Sequence, residues 1–194
     1  MRPLRAGRGG DGRNGMNPVA RYRAIGAALA FGLFALDQLL KYWVTGPLGI
    51  DRIGDVMEIV PFFDLRYTEN YGVSLGMLTA TSETMRWALV ALTGGIALVV
   101  TVWMMRETKL GDIVPLALIL GGALGNIRDR FQFGYVIDYA DLHFGDFRPF
   151  LIFNLADAAI SIGVAIMLAR AFLVREKPAQ PAPETLADEP AETT

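Results

Sequence analysis

Six polar residues sit between and at the edges of two long apolar stretches. They are Asn126, Asp129, Arg130, Asp138, Asn154 and Asp157, within GGALGNIRDRFQFGYVIDYADLHFGDFRPFLIFNLAD (121–157). A charge at a bilayer centre costs about 2.5–3.5 kcal/mol on insertion scales, less toward the interface, so carboxylates in such a setting are usually kept for a use. Two aspartates meeting in a water-poor site can work as an acid–base pair. Like charges in contact do not both ionise cheaply, so one holds a proton while the other takes one from water. The titration then belongs to the pair. The ionised member activates water and the protonated one polarises a carbonyl, giving a gem-diol without a covalent adduct. Asp138 and Asp157 are the candidates, each at the outer end of one of two consecutive segments. Spacing alone does not bring them together, and ion conduction, a proton relay in a carrier or plain structural pairing could use the same two acids.

The elements that must position them are apolar. The 194 residues are 53% hydrophobic, gathered in blocks that predict transmembrane helices at about 24–44, 86–105, 113–130 and 151–174. About 20 helical residues cross a hydrocarbon core of ~30 Å. The third block reaches that length only if its helix continues through Asn126 to Arg130. These four helices define an all-α integral membrane domain over 21–175. A basic tail (1–20) and a Pro, Ala and acid-rich tail (176–194) flank it, both expected to be disordered; Met16 offers a second start that keeps Arg21 and Arg23.

Charge orients the bundle. Arg2, Arg5, Arg8, Arg13, Arg21 and Arg23 precede the first block against Asp11 alone. Arg106 and Lys109 lie between the second and third blocks, and Arg170, Arg175 and Lys177 close the fourth. The positive-inside rule puts both termini in the cytoplasm and loops 45–85 and 131–150 outside. The run 24–36 after a basic stretch has the outline of a cleavable signal, but the apolar run continues to Trp43, which favours a retained helix.

Within the elements, Asp37 and Lys41 are spaced to pair near the outer end of the first helix, a supporting position for Asp37. IVPFFDLRYT reads as short strands lying on the membrane surface, and ENYGVSLGM, with Asn70, as a turn. Gly94 and Gly95 suit close packing of the second helix, and Gly121 with Gly125 that of the third. Asn126, Asp129 and Arg130 share one helix face, as do Asn154, Asp157 and Ser161; Arg128 is expected to snorkel toward headgroups. With entry near Leu151, Asp157 lies ~9 Å along the fourth helix. YVIDYADLHF is too short for a span and reads as an extended or turn segment.

Other chemistries find less support. Gly72-Val73-Ser74-Leu75-Gly76 matches G-x-S-x-G but lacks the strand–turn–helix setting that motif needs. A Ser74–Lys41 pair is conceivable, and His143 reads as an ordinary surface residue. One His and no Cys argue against zinc and thiol chemistry, and no phosphate loop or nucleic-acid stripe is present.

Taken in order, DQLLK (37–41), PFFDLRYTENYGVSLGML, GGALGNIRDR (121–130), YVIDYAD (135–141) and FNLAD (153–157) resemble the successive motifs of the lipoprotein signal peptidase (signal peptidase II) family, over about residues 24–174. The resemblance implies an aspartic endopeptidase of the bacterial inner membrane, active at its periplasmic face. It would remove the signal peptide of diacylglyceryl-modified prolipoproteins just before the lipidated cysteine. It places the catalytic pair on Asp138 and Asp157, with Asn70, Asn126, Asp129, Arg130, Asn154 and Asp37 lining or supporting the site. It implies a small β-cradle in the first outer loop, no metal or organic cofactor, and no nucleic acid. The partners are the lipid-modified substrate and membrane lipids, with the chain acting as a monomer. Leu75 where Phe is commoner, Arg128 for an aliphatic residue and Phe150 for Trp depart from the pattern, and bear on groove shape rather than on the acids.

Overall fold

The computed structural model describes residues 17–72 and 83–173. In chain order these form α1 (Pro18–Thr45), β1 (Val56–Val60), β2 (Phe63–Asn70), α2 (Glu83–Arg106), α3 (Leu110–Gln132), β3 (Val136–Leu142) and α4 (Leu155–Leu173). All four helices are long and apolar enough to cross a membrane. The remainder of the two tails expected to be disordered, and Ser74 with Leu75, lie outside the described residues.

α1 starts six residues earlier than its hydropathy suggests. Asn17 accepts the Val19 N–H at 3.0 Å and Pro18 opens the first turn, which is where proline fits and an Asn cap stabilises. Residues 18–20 are therefore helical rather than part of a disordered tail. α3 runs on through Arg130 to Gln132, and Arg86 of α2 closes its end by donating to the carbonyls of Arg130 and Phe131.

α4 begins four residues later than expected. The preceding segment is held extended: Phe153 and Ala140 exchange backbone hydrogen bonds at 2.8 and 3.1 Å. Asn154 then caps the helix by accepting the Asp157 N–H at 2.9 Å. Asp157 accordingly stands at the third helical residue, about 3–5 Å from the helix start at 1.5 Å per residue, and not ~9 Å deep.

The sheet is antiparallel in the order β1-β2-β3. Its first two strands come from the first outer loop as anticipated. Its third is YVIDYADLHF, which is a full strand, because β2 offers it a ladder from Phe63↔Leu142 to Asn70↔Val136. An extra residue in β2 between Leu65 and Thr68 bulges that ladder, and beyond it Thr68 pairs with Asp138. A bulge of this kind re-aims side chains. Val44, Ile50, Tyr67, Ile137, Tyr139 and Ala140 seal the sheet onto the end of α1.

α3 is the core of the bundle. It packs against α1, α2 and α4, and it is far more buried than the other three. Its glycines explain how. A Cβ on Gly121 would fall 2.6 Å from the Ala30 carbonyl of α1, one on Gly122 2.4 Å from the Ala156 carbonyl of α4, and one on Gly125 2.6 Å from the Asp37 carboxylate. Two neighbours, α1 and α4, therefore approach α3 at backbone distance, as small residues permit in membranes. Gly94 and Gly95 do not serve this way: an added Cβ at either meets nothing within 4 Å, and α2 packs through Ala97, Val100 and Met104 instead. Gly122→Val is thus expected to destabilise the bundle by about 1–3 kcal/mol or more, seen as a lower thermal midpoint in detergent micelles. Gly94→Ala should leave the midpoint nearly unchanged.

Candidate active site

The polar residues converge at the end of the bundle that carries the sheet. Asp138 on β3 is 1% exposed. Its Oδ1 accepts from Asn154 Nδ2 at 2.7 Å and its Oδ2 from Asn70 Nδ2 at 2.9 Å. Asp157 at the start of α4 accepts from Asn126 Nδ2 at 2.7 Å. Asn154 Nδ2 also lies 3.3 Å from Asn126 Oδ1. The two aspartates are thus joined by a short chain of amides, Asp138–Asn154–Asn126–Asp157. Their orientations are fixed. Asn154 must turn its oxygen to the Asp157 N–H, and Asn70 must turn its own to the Gly72 N–H at 2.9 Å, so both point their NH₂ groups at Asp138. Gly72, at φ +85°, makes the turn that allows this.

Burial pushes the Asp138 carboxyl up to about 7, with the charge of Asp157 adding to the effect; the Asn70 and Asn154 donors and Lys41 pull the other way without cancelling it. Desolvation disfavours the charged form and a like charge disfavours it further.

Beneath the pair lies a buried ionic cluster. Lys41, 3% exposed, sits 2.9 Å from Asp37 and 2.6 Å from Asp129, both fully buried. Asp37 also accepts the Ala156 N–H at 3.1 Å, next to Asp157. Asp129 accepts the Ile137 N–H at 3.4 Å, next to Asp138. Gln38 donates to both carboxylates at 3.1 Å. The Lys41–Asp37 pair is therefore part of a three-helix network rather than a mutually neutralising interfacial pair. Lys41 and Gln38 were not singled out as site residues from sequence; the signal was present, as two more polar side chains beside Asp37 in an apolar run. Held by two carboxylates, Lys41 is no free base for a serine.

Each of the eight residues proposed from sequence is found here. Arg130 faces Asp157, Asp138 and Asp129 electrostatically, and its buried Nε has no hydrogen-bond partner among the described residues. Ser161 is exposed and lies outside the polar cluster. Arg128 is exposed and bonds Gln38. One expectation fails: His143 is largely buried, 3.1 Å from Asp64 of β2, and is no ordinary surface residue. Among the described residues no group of His, Cys, Asp or Glu is arranged to hold a metal ion.

A groove of about 620 Å³ opens above the amide chain. Asn70, Tyr71 and Gly72 form one side, Phe150 and Leu151 the other, with Asp138 between. Phe150 and Leu151 are exposed and apolar.

Four spans with a roofed, polar cluster at one end define an integral membrane enzyme, and solved structures agree. A bacterial membrane enzyme superposes with a TM-score of 0.67 at 27% identity, covering 79% of this chain and 95% of its own; a second gives 0.65 at 26%, with 81% and 95% covered. The signal peptidase (SPase) II family model matches residues 29–173. The chain belongs to that family of aspartic-type peptidases. It is 54% identical over 164 residues to the lipoprotein signal peptidase of Sphingopyxis alaskensis (84% of this chain, 92% of the relative). It is 52% identical over 155 residues to that of Rhizorhabdus wittichii (80% and 90%).

Removing one partner from a buried ionic cluster leaves charge uncompensated, a loss of about 3–5 kcal/mol. Lys41→Met should therefore lower the denaturation midpoint in detergent strongly. The double variant Lys41→Met/Asp129→Asn should recover part of the loss, and the double-mutant cycle reads the coupling directly.

Proposed function

We propose that this chain is the aspartic endopeptidase that cleaves diacylglyceryl-modified prolipoproteins just before the lipidated cysteine. The observation that carries the reading is the amide chain joining Asp138 to Asp157 at the sheet-bearing end of the four-helix bundle, under a groove with an apolar lip. Its relatives are lipoprotein signal peptidases, which points to a lipoprotein precursor as the substrate. A cysteine bearing acyl chains cannot leave the bilayer, so scissile bond and acids must meet near the interface. The apolar signal helix enters from lipid, and the arginine-rich flanks of the helices support a groove on the periplasmic side with both termini inside.

In this mechanism the shared proton resides on Asp138, whose burial favours the neutral form. Water lies between the carboxyls. Asp157 takes its proton as the oxygen attacks the scissile carbonyl, while Asp138 gives its proton to the carbonyl oxygen. The resulting gem-diol collapses as Asp157 passes its proton to the leaving amine of the lipidated cysteine, and Asp138 recovers its own. Arg130, whose charge faces Asp157, Asp138 and Asp129, steadies the ionised form of the pair. Asn126, Asn154 and Asn70 orient the acids, and Asp37 and Asp129 hold the adjacent backbone. No metal or organic cofactor enters, the substrate is presented by membrane lipid, and the chain acts as a monomer.

Purified protein reconstituted with a lipidated prolipoprotein should convert it to the shorter product on a gel. Asp138→Asn and Asp157→Asn should each reduce the rate by at least 10²–10⁴-fold, roughly the worth of an acid–base group, while retaining the thermal unfolding transition. Full activity in either variant would remove that residue from the pair.

The pH profile of kcat/KM carries a second expectation. The pair must hold one proton, so activity should fall as pH rises through about 7, where Asp138 ionises. Asn70 donates to the ionised carboxylate and so favours it. Asn70→Ala should therefore move the alkaline limb to higher pH, and a shift to lower pH would contradict the assignment.

A further inference from the structure

One wall of the groove carries a charge that the acid–base chemistry does not use. Arg148 lines it together with Asp138 and faces Glu69 and Asn70. Its Nε lies 3.1 and 3.3 Å from the two oxygens of Asp141, and Arg66 Nε gives that carboxylate another hydrogen bond at 3.0 Å. Asp141 is on β3, three residues past Asp138, and is 1% exposed. Two guanidiniums against one carboxylate leave that trio with one positive charge in excess, and of the three Arg148 lines the groove, which Glu69 lines too. Among the described residues the terminal nitrogens of Arg148 make no hydrogen bond, and its side chain is 45% exposed. Nε is thus the anchor, and the planar end of the guanidinium is left for something else. Glu69, the acid on the opposite wall, already accepts the Tyr71 hydroxyl at 2.7 Å.

We infer that Arg148 is a specificity-determining residue that selects an acidic side chain in the substrate segment following the lipidated cysteine. The inference rests on the peptidase reading above. On one side of the scissile bond the substrate is an apolar helix in lipid. Only the chain on the other side brings polar side chains into the groove, and the water-facing Arg148 meets it there. A guanidinium fork matches a carboxylate better than it matches any neutral acceptor. Anchoring through Asp141 reduces the side-chain freedom lost on binding.

The test uses the full chain reconstituted with three synthetic diacylglyceryl-modified substrates. They are identical except for Asp, Asn or Lys at the second residue after the cysteine. The readout is the ratio of kcat/KM for the Asp and Lys substrates, which is internal to each variant and unmoved by a general loss of activity. The wild-type ratio should be about 3- to 10-fold at low salt and shrink as salt screens the pair. Arg148→Gln should bring it close to one, Arg148→Glu should reverse it, and Arg148→Lys, which keeps the charge without the fork, should retain only part of it. Equal cleavage of all three substrates by the wild type, or an unchanged ratio in Arg148→Gln, overturns the inference while leaving the peptidase reading intact. Failure of the wild type to cleave any of them overturns both.

Discussion

One buried ammonium organises the catalytic end of this molecule. Lys41 from α1 lies between Asp37 of its own helix and Asp129 of α3. Each carboxylate reaches onward to a backbone N–H: Asp37 to Ala156 and Asp129 to Ile137. Those two residues immediately precede Asp157 and Asp138. Elements from three helices and a strand are thus tied to a single charge, one residue away from each candidate catalytic acid. A buried ion pair is weak evidence of net stability. Its worth here is geometric, because two carboxyls in a shared site must be held at a fixed separation if one is to keep the proton.

The bilayer as solvent explains why this geometry can be so economical elsewhere. Apolar residues such as Phe31, Leu98, Val99 and Phe172 are exposed on the helices, as they should be where lipid replaces water and only internally satisfied backbone is tolerated. Packing then falls to small residues, and α3 uses Gly121, Gly122 and Gly125 to let α1 and α4 touch its backbone. Polar groups are gathered at one end, where the sheet roofs them. Each oxygen of Asp138 has an amide donor, and each donor is oriented by another bond. Order of this kind is what lets an acid with a raised pKa remain buried without disrupting the fold.

Residue types alone made much of this legible. Hydropathy marked the four spans, and the strand-forming run 56–68 marked the hairpin. The polar intrusions marked the site, since each stands where an apolar residue would be cheaper. The reading stayed open or missed where a neighbour decides conformation. YVIDYADLHF reads as extended or turn, and pairing with β2 makes Val136–Leu142 a strand. Leu151 to Phe153 are apolar enough for helix, yet their backbone bridges to Ala140, and so Asp157 moves from depth to the first turn. Gly94–Gly95 and Gly121–Gly122 look alike in sequence, and only the second pair meets another helix.

The sequence by itself determined the class of solvent, the number of crossings, the chemical inventory of the site and the family to which the chain belongs. These follow from local composition and the order of motifs, which do not depend on what lies across the bundle. Tertiary structure alone decided that Lys41 and Gln38 reach Asp129, that Asn154 and Asn126 bridge the two acids, and that Arg148 is held at the groove by Asp141. Each of those is a contact between residues at least seven and as many as ninety-one positions apart. Hydrogen bonds and ion pairs act over a few ångströms in space, and no spacing along the chain encodes which distant partners the folded bundle will bring within that reach.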